Sequence, residues 1–179
     1  MAIIKAFKGF RPRKELAKLI ASRPYDVLSS EEARVEAGDN KYSYYHVIKS
    51  EIDFPEDVDH YSAAVYNKAK DTLEQWIADG TLKQDPVPCI YIYAQTMWGK
   101  TQYGIMACAS VKDYLDNVIR KHELTRFEKE IDRKTHIRVT NFNCEPVFFA
   151  FRDHAEINDI INNTISDLPE YDFVSADDI

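Results

Sequence analysis

Residues 121–134, KHELTRFEKEIDRK, put nine charged side chains and a histidine into fourteen positions. Three chemistries fit such a run. It can be a solvated helix face, a metal site, or a cradle for an anion. Thr125 followed by Glu128 has the spacing of a capping box, which predicts a helix from Arg126. Phe127 and Ile131 would then face the core, and Arg126, Lys129, Glu130 and Arg133 would share the other side. The open N–H groups of a helix start favour an anion there. His122, Arg126, Lys129 and Arg133 can add donors around a phosphate. In the solvated alternative Glu130 simply pairs with Arg126 and Arg133, worth a few tenths of a kcal/mol per pair. Zinc is disfavoured: HELTR begins like HExxH, but Arg126 stands where the second histidine would be, and arginine is no ligand.

A second stretch with chemical potential is RPYDVLSS. A Pro-Tyr-Asp turn before a capped helix holds Asp26 where it can bind Mg²⁺, act as a base, or bond its own backbone. His46 lies in an aromatic, β-branched run and is read as a strand residue. The cysteines Cys89, Cys108 and Cys144 form no CxxC pair and are read as free thiols of the core.

The elements that must carry these residues follow from patterning. Ser29 with Glu32 caps a helix over about 30–37, stopped by Gly38. Residues 42–52 read as a strand. A long helix spans about 59–79, with Tyr66, Ala69, Leu73, Trp76 and Ile77 at spacings of three and four, and Gly80 ends it. Residues 87–96 and 103–111 flank MWGK as a hairpin. EPVFFAF reads as a further strand, and Asp153 with Glu156 opens a helix to about Ser166. This is an α+β pattern: a single domain over residues 1–166 with a mixed or largely antiparallel sheet, then an acidic segment over 167–179. Five glycines and no GxGxxG or GxxxxGK[ST] exclude the glycine-rich phosphate loops.

The net charge of −7 is concentrated at the end. Without the last thirteen residues, 23 basic face 25 acidic groups. A near-neutral body and an acidic tail oppose direct nucleic-acid binding. No apolar run has the length of a membrane span, and the N-terminus lacks a signal-peptide core, so a cytoplasmic protein without a membrane partner is expected.

The order of RPYDVLS, DNKYSYYHV, PCIYIYAQ, YGIMACASVKDY, IRKHELTRFEKEIDR and PVFFAF resembles the N-terminal half of a bacterial family catalogued as domain of unknown function 1015, over about residues 1–175. The PYDV turn and the HExT…K…DR segment are the specific motifs: Pro24, Tyr25, Asp26 and Val27, then His122, Glu123, Thr125, Lys129, Asp132 and Arg133. Members are usually about twice as long. Their second half carries an Asp-Gly-His-His-Arg motif like that of the ParB–sulfiredoxin superfamily, which includes free serine kinases. That motif is missing here, so the resemblance implies either the N-terminal part of a longer protein, whose C-terminal half is then its missing partner, or an atypical short member. It further implies a nucleotide ligand, ATP or ADP with Mg²⁺, and transfer of phosphate to a small hydroxyl compound such as serine. Thr125, Arg126, Lys129 and Arg133 would hold phosphates, His122 or Glu123 would accept the hydroxyl proton, and Asp26 would hold the metal. The alternative is a non-catalytic nucleotide-sensing or protein-interaction module.

Overall fold

The computed structural model describes residues 2–122 and 125–175. In chain order the elements are β1 (Ile4–Lys5), β2 (Phe10–Pro12), α1 (Ala17–Ile20), α2 (Ser30–Ala37), α3 (Tyr45–Ile48), α4 (Ala63–Ala78), β3 (Leu82–Gln84), β4 (Tyr91–Met97), β5 (Lys100–Met106), β6 (Cys108–Ala109), α5 (Val111–Leu115), α6 (Phe127–Thr140) and α7 (Ala155–Thr164). The class is α+β, with small antiparallel pairings, as the patterning predicts. The chain forms two compact units. One comprises residues 12–83 and 125–146, the other 1–11, 84–124 and 147–179.

The first unit is helical and holds most of the buried apolar side chains. Along α4, Val65, Tyr66, Ala69, Leu73 and Trp76 are buried at spacings of three and four, and this stripe packs against α3 and α6. Ser29 caps α2 through the expected reciprocal bonds with Glu32. Gly38 and Gly80 follow α2 and α4 with φ of 49° and 75°, a left-handed turn that glycine adopts without Cβ strain. Residues 42–52 are not a strand. They form α3 and a 3₁₀ turn, Ser50–Asp53, because Tyr45, Val47 and Ile48 all bury within this helical layer and packing overrides β propensity.

In the second unit β1 pairs antiparallel with β6, and β4 with β5 in a hairpin from Tyr91↔Met106 to Met97↔Lys100. Trp98 and Gly99 turn it with positive φ at both positions, and Trp98 is fully exposed. EPVFFAF forms no strand: Val147, Phe148 and Phe151 are exposed and the segment joins no ladder. α7 starts after His154, with no side-chain cap; Asp153 accepts from Asn158 instead of capping. Nor are the thiols core residues, since Cys108 is exposed and the other two are half-buried, all three free. Among the described residues no helix is long and apolar enough to cross a membrane.

A polar knot ties this unit together. Arg11 forks onto Asp85, which also accepts from the Tyr91 hydroxyl, and Tyr91 in turn accepts from the Gly9 N–H at 2.9 Å. A Cβ at Gly9 would stand 2.7 Å from the Tyr91 oxygen. Gly9→Ala is therefore expected to cost about 1–3 kcal/mol by displacing Tyr91, read as a lowered thermal midpoint.

Candidate functional site

The buried face of α6 is polar. Asp132, His136 and Thr140, spaced by four, point inward, while Phe127 and Ile131 are 75% and 48% exposed. The apolar positions taken for the core side are therefore the outer side. No capping box forms either. Arg126 is the N-cap without a side-chain bond, and the Thr125 hydroxyl donates to Glu130 at 3.3 Å. Glu130 also takes the Lys134 ammonium. The pairing of Glu130 with Arg126 and Arg133 does not occur.

Each inward group of α6 has a partner that fixes it. The Tyr66 hydroxyl on α4 donates to Asp132 Oδ1 at 2.7 Å. Arg133 gives Nε and Nη2 to Asp132 Oδ2 at 3.1 and 2.8 Å, and Nη1 to Glu145 Oε2 at 2.6 Å. His136 Nε2–H donates to the Val47 carbonyl at 2.9 Å, and its ring meets Tyr66 edge-on. Burial holds this imidazole below its usual pKa, so it stays neutral. Burial opposes the charge on Arg133, but Asp132 and Glu145 outweigh it and the guanidinium pKa is raised. Glu145 is pushed up by burial, which Arg133 offsets only in part because its charge is shared with Asp132.

The PYDV turn docks on this array. The Tyr25 N–H donates to Glu145 Oε1 at 3.4 Å. The Tyr25 ring lies 4.2 Å from Arg133 Cζ and 5.5 Å from Lys129 Nζ. A cleft of about 60 Å³ opens here, lined by Tyr25, Lys49, His60, Tyr66, Lys129 and Arg133 among others. It has room for one phosphate-sized group, not for a whole nucleotide. Lys49 is spent on Glu51 at 3.3 Å and Arg133 on its two carboxylates. Lys129 is half-buried, and among the described residues its ammonium has no carboxylate partner.

The sequence-predicted residues are thus distributed unevenly. Lys129 and Arg133 share the cleft with Tyr25. Asp26 is exposed on the same turn, near enough for its charge to act on Tyr25 and Glu145. Thr125 and Arg126 are exposed at the start of α6. His122 belongs to the other unit, and Glu123 lies outside the described residues. Sequence reasoning missed Tyr66, His136 and Glu145. The only available signal was their polarity within otherwise helical or strand-like patterns.

His46 is the other correction. It sits on α3, with Nδ1 2.7 Å from Asp53 Oδ1 and Nε2 3.1 Å from the Asn40 carbonyl. Both neighbours can only accept, so both ring nitrogens carry protons. The hydrogen bond to Asp53 raises the pKa against the cost of burial. A raised pKa stabilises the fold below the unfolded value, about 6.5, and that contribution is lost as pH rises through the folded value. The loss in unfolding midpoint on His46→Gln is therefore expected to be largest in mild acid and to shrink toward alkaline pH.

Searches of curated proteins and of solved structures find no match to this chain. The family comparison does: over residues 4–179 the chain belongs to the family described as "Protein of unknown function (DUF1015)".

Proposed function

We propose that the Tyr25–Lys129 cleft binds the phosphate end of a nucleotide, in the service of phosphoryl transfer to a small hydroxyl compound. The observation that carries this reading is the meeting of the two motifs: Tyr25, from the turn, lies against Lys129 and Arg133, more than a hundred residues later in the chain. Lys129 is the group that contacts the anion, because its charge is uncommitted. Arg133 is a positioning residue. Its donors hold Asp132 and Glu145, and through Glu145 the backbone of the turn. Asp26, exposed at the edge of this array, is suited to a Mg²⁺ carried in with the nucleotide. Phosphoryl transfer asks mainly for such positioning and charge neutralisation.

A second reading, a nucleotide-sensing module, draws on one observation: Asp132, Glu145 and His136 are all committed to structural bonds, which leaves no free base among them. Turnover separates the two. With ATP, Mg²⁺ and serine, phosphotransfer predicts a phosphorylated serine in the ³¹P spectrum, lost in Lys129→Ala. Bound but unconsumed ATP selects the sensing module. Failure to bind any nucleotide rejects both.

A further inference from the structure

The helical unit has a second cleft, larger than the one at Tyr25 and Lys129. It has a volume of about 240 Å³ and lies along α4, lined by Lys41, Tyr42, His46, Asp53, Lys68 and Trp76 together with residues nearer the end of the helix. Three features give it a chemical preference. The first is charge. His46 is an imidazolium on the geometry given above, and Asp53 Oδ2 faces Lys68 Nζ at 3.5 Å, so one carboxylate serves two cations. Lys41 adds a third cation, 5.1 Å from the Tyr42 ring, whose charge acts on Asp79 without closing an ion pair among the described residues. The remaining acid in the lining, Asp79, accepts the Thr81 N–H at 2.8 Å. Three cations against two carboxylates leave one positive charge uncompensated.

The second feature is a donor. Trp76 is only 4% exposed, and its ring stacks on Tyr44 at 6.5 Å. Among the described residues no acceptor meets its indole N–H. The N–H is not among the buried atoms left without a partner, so it reaches solvent and can donate to an acceptor that takes the place of water in the cleft. The third feature is shape. The aromatic rings of Tyr42 and Trp76 give the cleft apolar wall beside its charged groups. The volume suits a metabolite-sized body.

We infer that this cleft is a binding site for a small organic monocarboxylate, with Lys41 and Lys68 on the anion, the Trp76 N–H as neutral donor, and Tyr42 against the organic body. A single net charge matches a carboxylate better than a phosphate dianion. The site is separate from the Tyr25–Lys129 cleft and shares no lining residue with it.

The chain has two tryptophans, so Trp98→Phe, at the exposed hairpin turn, leaves Trp76 as the only indole. In the ¹H–¹⁵N spectrum of that variant, sodium benzoate should shift the single indole N–H resonance saturably. Benzylamine, of similar size and opposite charge, should not. Lys41→Met, at an exposed position, should weaken benzoate about tenfold, the loss of one charge-assisted hydrogen bond, while Lys129→Ala leaves it unchanged. No saturable shift with benzoate or acetate overturns the proposal. So does equal affinity in Lys41→Met, equal binding of benzylamine, or tighter binding of inorganic phosphate than of benzoate.

Discussion

Arg133→Met should destabilise the helical unit by about 3 kcal/mol in urea unfolding, since removing one member of a buried ion pair strands the charges it neutralised. Asp132 is 7% exposed and Glu145 is largely buried, and Arg133 is the cation that both face. Methionine replaces the aliphatic stem but none of the three donors. The Tyr25 ring also loses its closest cation, and Glu145 is left with the Tyr25 N–H alone. The effect is therefore both a loss of stability and a loosening of the turn at residues 24–27. A fall of less than about 1 kcal/mol, the range of an exposed pair, would mean that water reaches Asp132 and Glu145 freely.

The companion substitution sits one residue earlier. Asp132→Leu should cost about 2–3 kcal/mol, because it leaves the Tyr66 hydroxyl without its acceptor and two of the three Arg133 donors unpaired. The informative quantity is the double variant. With Asp132→Leu and Arg133→Met combined, an apolar pair replaces the buried ionic one, and such exchanges are often neutral. The double variant should then be more stable than the sum of the two single losses predicts, by at least about 1 kcal/mol of coupling. Additive losses would show that Asp132 and Arg133 act on separate partners and not as one unit.

The fold was legible wherever local chemistry and packing agree. Ser29 with Glu32, the glycines at 38 and 80, the α4 stripe and the hairpin at Trp98–Gly99 all signal their structure within a few residues. It was illegible where a polar face is the buried one. On α6 the spacing of Phe127 and Ile131 suggests an inner side, yet Asp132, His136 and Thr140 occupy it, because Tyr66 and the Val47 carbonyl supply the bonds of Asp132 and His136 from elements some 70 to 90 positions away, and the Thr140 hydroxyl donates to the His136 carbonyl. No periodicity rule anticipates that. His46 failed for a related reason: its aromatic neighbours favour a strand in isolation, and only the layer formed with α4 makes a helix there the better burial. Of the candidate site, the motif residues Tyr25, Lys129 and Arg133 converge, whereas the division of labour between Lys129 and Arg133 depends on Glu145, which only its polarity at the head of a strand-like stretch marks.

That division of labour is the core of the functional reading, and one measurement addresses it most directly: calorimetric titration of ATP and ADP, each with Mg²⁺, into the unmodified chain and into Lys129→Ala. Among the described residues Lys129 makes no hydrogen bond or ion pair, only the 5.5 Å approach to the Tyr25 ring, so the unfolding midpoint of the variant should lie close to that of the parent. Nucleotide affinity should fall at least about tenfold, the value of one charge-assisted contact to phosphate. Equal affinity in the two proteins, or no heat of binding in the unmodified chain, would contradict the account.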